Sequence, residues 1–225
     1  MGLEVFAEGN RIQLGGSKPL LSLVYKRTIA LDTWVAPLGS SGMYSVDITL
    51  PRHGLILLGD TGGEFISVEY GLGGRDVVRF ASANPVVITF FVFGNSPISS
   101  STWGLQSYSA QGELLYDSSH KALRIAYVGP APKDSLSFSA LPGNTYAAGL
   151  SFYRRYYLIP PFNAATFVHR DTIRVAQGKV SIGRRLAFIE DSRYAEEMFF
   201  EANQGPALND VNPASQLIIA TVSGY

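Results

Sequence analysis

A short β-hairpin that occurs twice sets the strongest limit on what this chain can fold into. In the clearer copy, residues 105–108 form one arm, 113–116 the other, and Ala110-Gln111-Gly112 the turn. The chain opens with a second copy. Gly2, Leu3 and Phe6 match Gly104, Leu105 and Tyr108, and after a one-residue gap Gly9, Lys18 and Leu20 match Gly112, Lys121 and Leu123. The copies lie about a hundred residues apart, so they mark a duplicated β unit of domain size rather than a solenoid period.

The rest of the chain reads as short strands between breakers. In the first half, apolar runs at 20–25, 28–35, 43–50, 55–58, 65–70, 77–80 and 86–93 alternate with Gly39, Pro51, Gly54, Gly62-Gly63, Gly71 and Gly73-Gly74. In the second half, runs at 122–128, 136–138, 146–152, 156–159, 166–169, 172–175, 179–182, 186–189 and 216–222 follow the same plan. Spacing of roughly ten residues without a helical period predicts a sandwich or barrel. The run at 86–93 has almost no polar alternation and predicts a central strand covered on both faces. One helix is expected at 192–203, with Ser192 as its cap and Glu196 and Glu197 in its first turns. The Ser-rich stretch 95–102 is the expected linker, giving β-sandwich-like domains at 1–96 and 97–225. The alternative is a hairpin loop inside one domain.

Composition excludes several functions. Eighteen basic and eighteen acidic residues cancel, so no net field favours nucleic acid or an anionic membrane. With no cysteine, disulfides, Cys-ligated zinc and thiol catalysis are absent. The chain start shows no basic-then-apolar leader, so no secretion signal is expected. The longest apolar run, 85–93, is too short to span a membrane as a helix.

The hairpin at 104–118 also carries a family resemblance. Gly104, Leu105, Gln106, Tyr108, Gly112, Leu115, Tyr116, Asp117 and Ser118 form a phrase that resembles one common in small tail proteins of long-tailed bacteriophages. Those proteins are encoded near the host-specificity hub and form part of the tail tip or fibre. Two flanking features add to the likeness: the apolar run ending in Phe93-Gly94, and the closing run that ends in Ser223-Gly224-Tyr225. The N-terminal copy departs from the phrase, with Leu14-Gly15-Gly16 where Asp117-Ser118-Ser119 stand. The resemblance covers about a third of the chain. It implies virion assembly in the host bacterial cytoplasm, with other tail proteins (hub or fibre subunits) as partners, and a homo-oligomer such as a trimer.

Catalytic motifs are missing. Gly71-Leu72-Gly73-Gly74 and Gly15-Gly16-Ser17-Lys18 fit neither a phosphate loop nor a dinucleotide fingerprint, and they read as turns. His169-Arg170-Asp171 copies a kinase tripeptide without the other kinase elements. His53, His120 and His169 share no metal-ligand spacing, no serine sits in a nucleophile elbow, and the Glu190-Asp191 and Glu196-Glu197 pairs read as solvated charge. No catalysis, cofactor or metal is therefore expected.

One stretch has binding character. Phe152, Tyr153, Arg154, Arg155, Tyr156, Tyr157 and Phe162 interleave aromatics with arginines, a mixture that anchors protein interfaces and also stacks on sugars or bases. The plain alternative is a core row of aromatics covered by the arginines. Together these readings predict a mainly β, non-enzymatic structural component of a phage tail, acting in assembly and host-surface attachment through a glycan or receptor. The rival function is a carbohydrate-binding, lectin-like module.

Overall fold

The computed structural model describes residues 3–7, 10–14, 21–35, 42–50, 54–70, 76–95, 106–108, 114–131, 135–137, 144–151, 153, 155–158, 166–176, 178–190 and 215–225. Every regular element among the described residues is a β-strand, and the chain is mainly β. The expected helix at 192–203 lies outside the described residues, as do residues 96–105, which hold most of the expected linker.

Both expected hairpins form. Strand β1 (Leu3–Ala7) pairs with β2 (Asn10–Leu14), Leu3 opposite Leu14. Strand β10 (Gln106–Tyr108) pairs with β11 (Leu114–Asp117), Gln106 opposite Asp117. Each is a separate two-stranded sheet.

The remaining strands build three larger antiparallel sheets. The six-stranded sheet runs β12 (Arg124–Pro130), β18 (Gln216–Thr221), β14 (Tyr146–Leu150), β6 (Leu55–Leu58), β9 (Val86–Asn95), β3 (Leu21–Leu31). One four-stranded sheet runs β4 (Trp34–Val35), β5 (Met43–Thr49), β8 (Val77–Ser82), β7 (Ser67–Tyr70). The other runs β13 (Ser135–Ser137), β17 (Lys179–Glu190), β16 (Thr166–Ala176), β15 (Arg155–Leu158). Paired hydrogen bonds of 2.9 Å between Ile66 and Ile173 join the two four-stranded sheets.

Three expected breaks are absent. The runs at 20–25 and 28–35 give one strand through residue 31, with a β-bulge between Leu23 and Tyr25, and Trp34-Val35 pairs separately with β5. The runs at 166–169 and 172–175 merge in β16, and those at 179–182 and 186–189 merge in β17. Lys26-Arg27, Arg170-Asp171 and Gly183-Arg184-Arg185 look like loop residues yet sit inside these strands. A strand tolerates charge wherever the charge is paired or reaches water.

Strand order repeats on either side of residues 96–105. In the first half β3 pairs β9, β9 pairs β6, β5 pairs β8 and β8 pairs β7. In the second half β12 pairs β18, β18 pairs β14, β13 pairs β17 and β17 pairs β16. The matched strands fall in the same chain order, with β4 and β15 as additions. Edge strands β3 and β12 each carry a bulge followed by a tyrosine, Tyr25 and Tyr127, and both tyrosines pack on the main core. Contacts between halves join matched strands antiparallel at Leu58 and Ala148 and at Ile66 and Ile173. A twofold rotation between halves has this consequence.

One core draws on all three larger sheets and on both halves. It includes Ile29, Phe90, Leu150 and Ile219 from the six-stranded sheet, Val68 and Phe80 from one four-stranded sheet, and Ile173 and Val180 from the other. The rings of Phe80 and Phe90 are 4.6 Å apart at its centre. The core and the sheets thus continue across the expected boundary at 96. Strand β9 alternates between two apolar clusters: Ile88, Phe90 and Val92 enter the main core, while Phe91 and Phe93 join Leu57, Ala147, Ala220 and Val222 on the opposite face. The strand is covered on both faces as its continuous apolar run requires, apart from exposed Val87 at its start. Gly149 permits the tight β14–β6 contact, because a Cβ there would strike the Ile56 carbonyl oxygen.

The six-stranded sheet curls until its outer strands touch. Leu23 N donates to Lys121 O and Leu123 N to Leu21 O, both at 2.8 Å. The segment at 223–225 clamps this junction. Tyr225 Oη donates to Ala122 O, Lys121 Nζ to Gly224 O, and Lys26 Nζ to Tyr225 O at 2.7 Å. The Tyr225 ring meets Phe93 edge-on at 5.9 Å.

Candidate interaction surfaces

The aromatic–arginine stretch is placed only in part. Phe152, Arg154 and Phe162 lie outside the described residues. Arg155, Tyr156 and Tyr157 belong to β15, where they pair with Arg170, His169 and Val168 of β16. Tyr153 packs against the main core. Its buried hydroxyl makes no well-formed hydrogen bond, the Leu150 backbone lying near it outside that geometry. Burial pushes its pKa well up, Tyr70 and Asp171 add to the shift, and the Leu150 backbone opposes it. Tyr70 is 38 % exposed, and the burial of the rest of the residue pushes its pKa up to about 12.

A row of charges crosses the strands beside this region. Arg79 donates from Nε and Nη2 to the two carboxylate oxygens of Asp47, at 2.7 and 2.8 Å. This hydrogen bond holds the Asp47 carboxyl below its usual range, against partial burial. Register places Glu69 on the other side of Arg79. Glu69 Oε1 in turn lies 3.0 Å from Arg170 Nε, across the junction of the two four-stranded sheets. Acid and base alternate along Asp47, Arg79, Glu69 and Arg170, so each buried charge faces its opposite.

Among the described residues of the hairpin, Gln106, Tyr108 and Asp117 are linked by hydrogen bonds. Asp117 is buried. Its Oδ1 accepts from Ser119 N at 2.7 Å and Ser119 Oγ at 2.6 Å, and its Oδ2 accepts from Gln106 Nε2 at 2.8 Å. Tyr108 Oη donates to Gln106 Oε1 at 2.7 Å. These bonds tie Gln106 to Asp117 across the paired strands and fix the turn that follows β11 at 117–120.

Two features stand out on the surface. The first is the outer edge of β12, which has no partner strand along 124–130 among the described residues. It displays Ile125 at 56 % and Val128 at 48 % exposure. Its counterpart β3, the opposite edge, carries exposed Lys26, Arg27 and Thr28. Charged residues guard an edge against strand addition, and β12 carries only Arg124, at its start. The second is Trp34 on edge strand β4, 55 % exposed and set edge-on to Tyr44 at 5.0 Å. Sequence reading singled out neither, because which strand ends up outermost is a property of pairing rather than of any local window.

Among the described residues no three His, Asp or Glu side chains gather as metal ligands, and no helix is long and apolar enough to cross a membrane. Comparison with known protein families, curated proteins and solved structures finds no match.

Proposed function

We propose that this chain is a non-enzymatic structural component of a bacteriophage tail, at the tip or in a fibre. It is built from two duplicated β-sandwich-like lobes, assembles with hub or fibre subunits, and contacts the host surface. The hairpin phrase at 104–118 supports the tail assignment, and the repeated strand order supports duplication. The observation that carries an assembly role is the exposed apolar pair Ile125 and Val128 on edge strand β12, which carries a single charge, Arg124, where its counterpart β3 carries Lys26 and Arg27. An extended segment of a partner added to that edge gains backbone hydrogen bonds and covers Ile125 and Val128. Fully burying two such side chains contributes about 1.5–3 kcal/mol each.

Purification of tail particles, with immunoelectron microscopy against this chain, tests the reading. The chain is expected at the tail tip or fibre, and its absence from tails overturns the proposal. The Ile125→Asp, Val128→Asp double variant is expected to fold and to stay out of the particles. Normal incorporation of that variant moves the contact away from β12.

A further inference from the structure

We propose that Trp34 and its neighbours form a stacking platform that takes one pyranose ring of a glycan. The platform is a property of residues 32–34 and 42–44, so it stands apart from the assembly edge and from the aromatic stretch at 152–162.

The ring of Trp34 is held in place yet left open. It lies against Gly42, where any Cβ would collide with its Cζ2, Cε2 and Cη2 carbons, and Tyr44 meets it at 66°. These contacts fix the indole plane, so little side-chain freedom remains to be lost on binding. With 55 % of the residue still exposed, the ring is not serving the core.

The chain leading into the platform is polar. Asp32 and Thr33 are exposed, and Thr33 Oγ1 donates to Asp32 Oδ1 at 3.4 Å. The loop that carries them is anchored to β5, because Ser45 N donates to Thr33 O at 2.9 Å. A pyranose matches this layout. Its face of C–H groups, slightly positive, lies on the negative face of the indole, and a hydroxyl at its rim donates to the Asp32 carboxylate. A nucleobase would bring phosphate toward Asp32, and residues 32–50 contain no lysine or arginine to receive it. A protein anchor would sit within an apolar patch, whereas the exposed residues that directly precede Trp34 in the chain, Asp32 and Thr33, are polar.

Saturation-transfer NMR with methyl glycosides of glucose, galactose, rhamnose and N-acetylglucosamine tests the inference on the full chain. At least one glycoside is expected to receive magnetisation on the protons of one ring face. Trp34→Ala should weaken binding about tenfold or more, with circular dichroism unchanged. Gly42→Val, which displaces the indole while keeping it, should do the same. Should Trp34→Ala fail to fold, Asp32→Asn provides the second test and should weaken binding without moving the thermal midpoint. Trp103→Phe, which alters the other tryptophan, should leave binding intact. No transfer to any glycoside, or transfer that survives Trp34→Ala, overturns the proposal. The Ile125→Asp, Val128→Asp variant should bind the glycoside as well as the parent chain does, so loss of tail incorporation and loss of sugar binding are separate results.

Discussion

Arg170 on β16 and Glu69 on β7 meet at 3.0 Å with both side chains only 6 % exposed. The pair sits where the two four-stranded sheets join, close in sequence to the contact between Ile66, just before β7, and Ile173 of β16. Removing one partner takes the close opposite charge away from a buried one, so Glu69→Gln should cost up to about 3–5 kcal/mol, and Arg170→Met less, since Arg79 still faces Glu69. The double change to an apolar pair should cost much less than the sum of the single changes, because no charge is left alone. Urea unfolding midpoints of the four proteins measure this. Additive costs would show that the two charges do not act as a pair.

Thr61 extends the same junction with its side chain. The residue is fully buried. Thr61 N donates to Val175 O at 2.9 Å, and Thr61 Oγ1 accepts from Val175 N at 3.2 Å and donates to Glu64 O at 2.7 Å. The hydroxyl thus stands where a strand carbonyl would. Thr61→Val keeps the shape but leaves the Val175 amide without its acceptor, and it should destabilise by about 1–3 kcal/mol. Thr61→Ser retains the hydroxyl and should cost less. Equal losses for the two variants would show that the methyl group, not the hydroxyl, matters.

The residues that sequence reading mistook for loops explain what it could and could not see. Period-two runs and turn residues place most strands, including β5, β6, β9 and both hairpins, because side-chain alternation is a local property. Breaks expected at Arg170-Asp171 and Lys26-Arg27 fall inside strands. Arg170 is tolerated by a partner distant in sequence, Glu69, and Lys26 by reaching across Phe91 at 5.4 Å to the Tyr225 carbonyl. No local window reveals such partners. The joining of the halves through Leu58 and Ala148 is likewise set by pairing, as is the outer position of β12. Trp34 is legible as an aromatic residue but not as an exposed one, since its place on edge strand β4 is set by pairing with β5.

The clamp at 223–225 predicts a local change rather than global unfolding. Tyr225→Ala removes the hydroxyl bond to Ala122 and the ring contact with Phe93. The Leu23 and Leu123 amides, which close the six-stranded sheet, should then exchange with deuterium faster. Amides of β8 and β9 beside Phe80 and Phe90 should keep their protection. Uniform acceleration across all strands would show that Tyr225 supports the whole fold instead of the junction.

Raised tyrosine pKa values give the protein an alkaline limit. Burial holds the phenol of Tyr153 in the neutral form, and partial burial shifts Tyr225 and the 38 % exposed Tyr70 in the same direction with less weight for stability, because water still reaches them. In the unfolded chain the same groups ionise near 10. Their contribution to stability is therefore intact below pH about 10 and is lost as pH rises from there through the folded values. Chemical denaturation across that range should show a falling midpoint, with tyrosinate absorbance appearing together with unfolding. Tyr153→Phe isolates one member of the set. It removes a buried hydroxyl that makes no well-formed hydrogen bond, so at neutral pH it should leave stability unchanged or raise it by about 1 kcal/mol. Above pH about 10 the variant should lose stability less steeply than the parent, because one fewer phenol ionises on unfolding. A variant that is clearly less stable at neutral pH would show that the Tyr153 hydroxyl has a partner in solution.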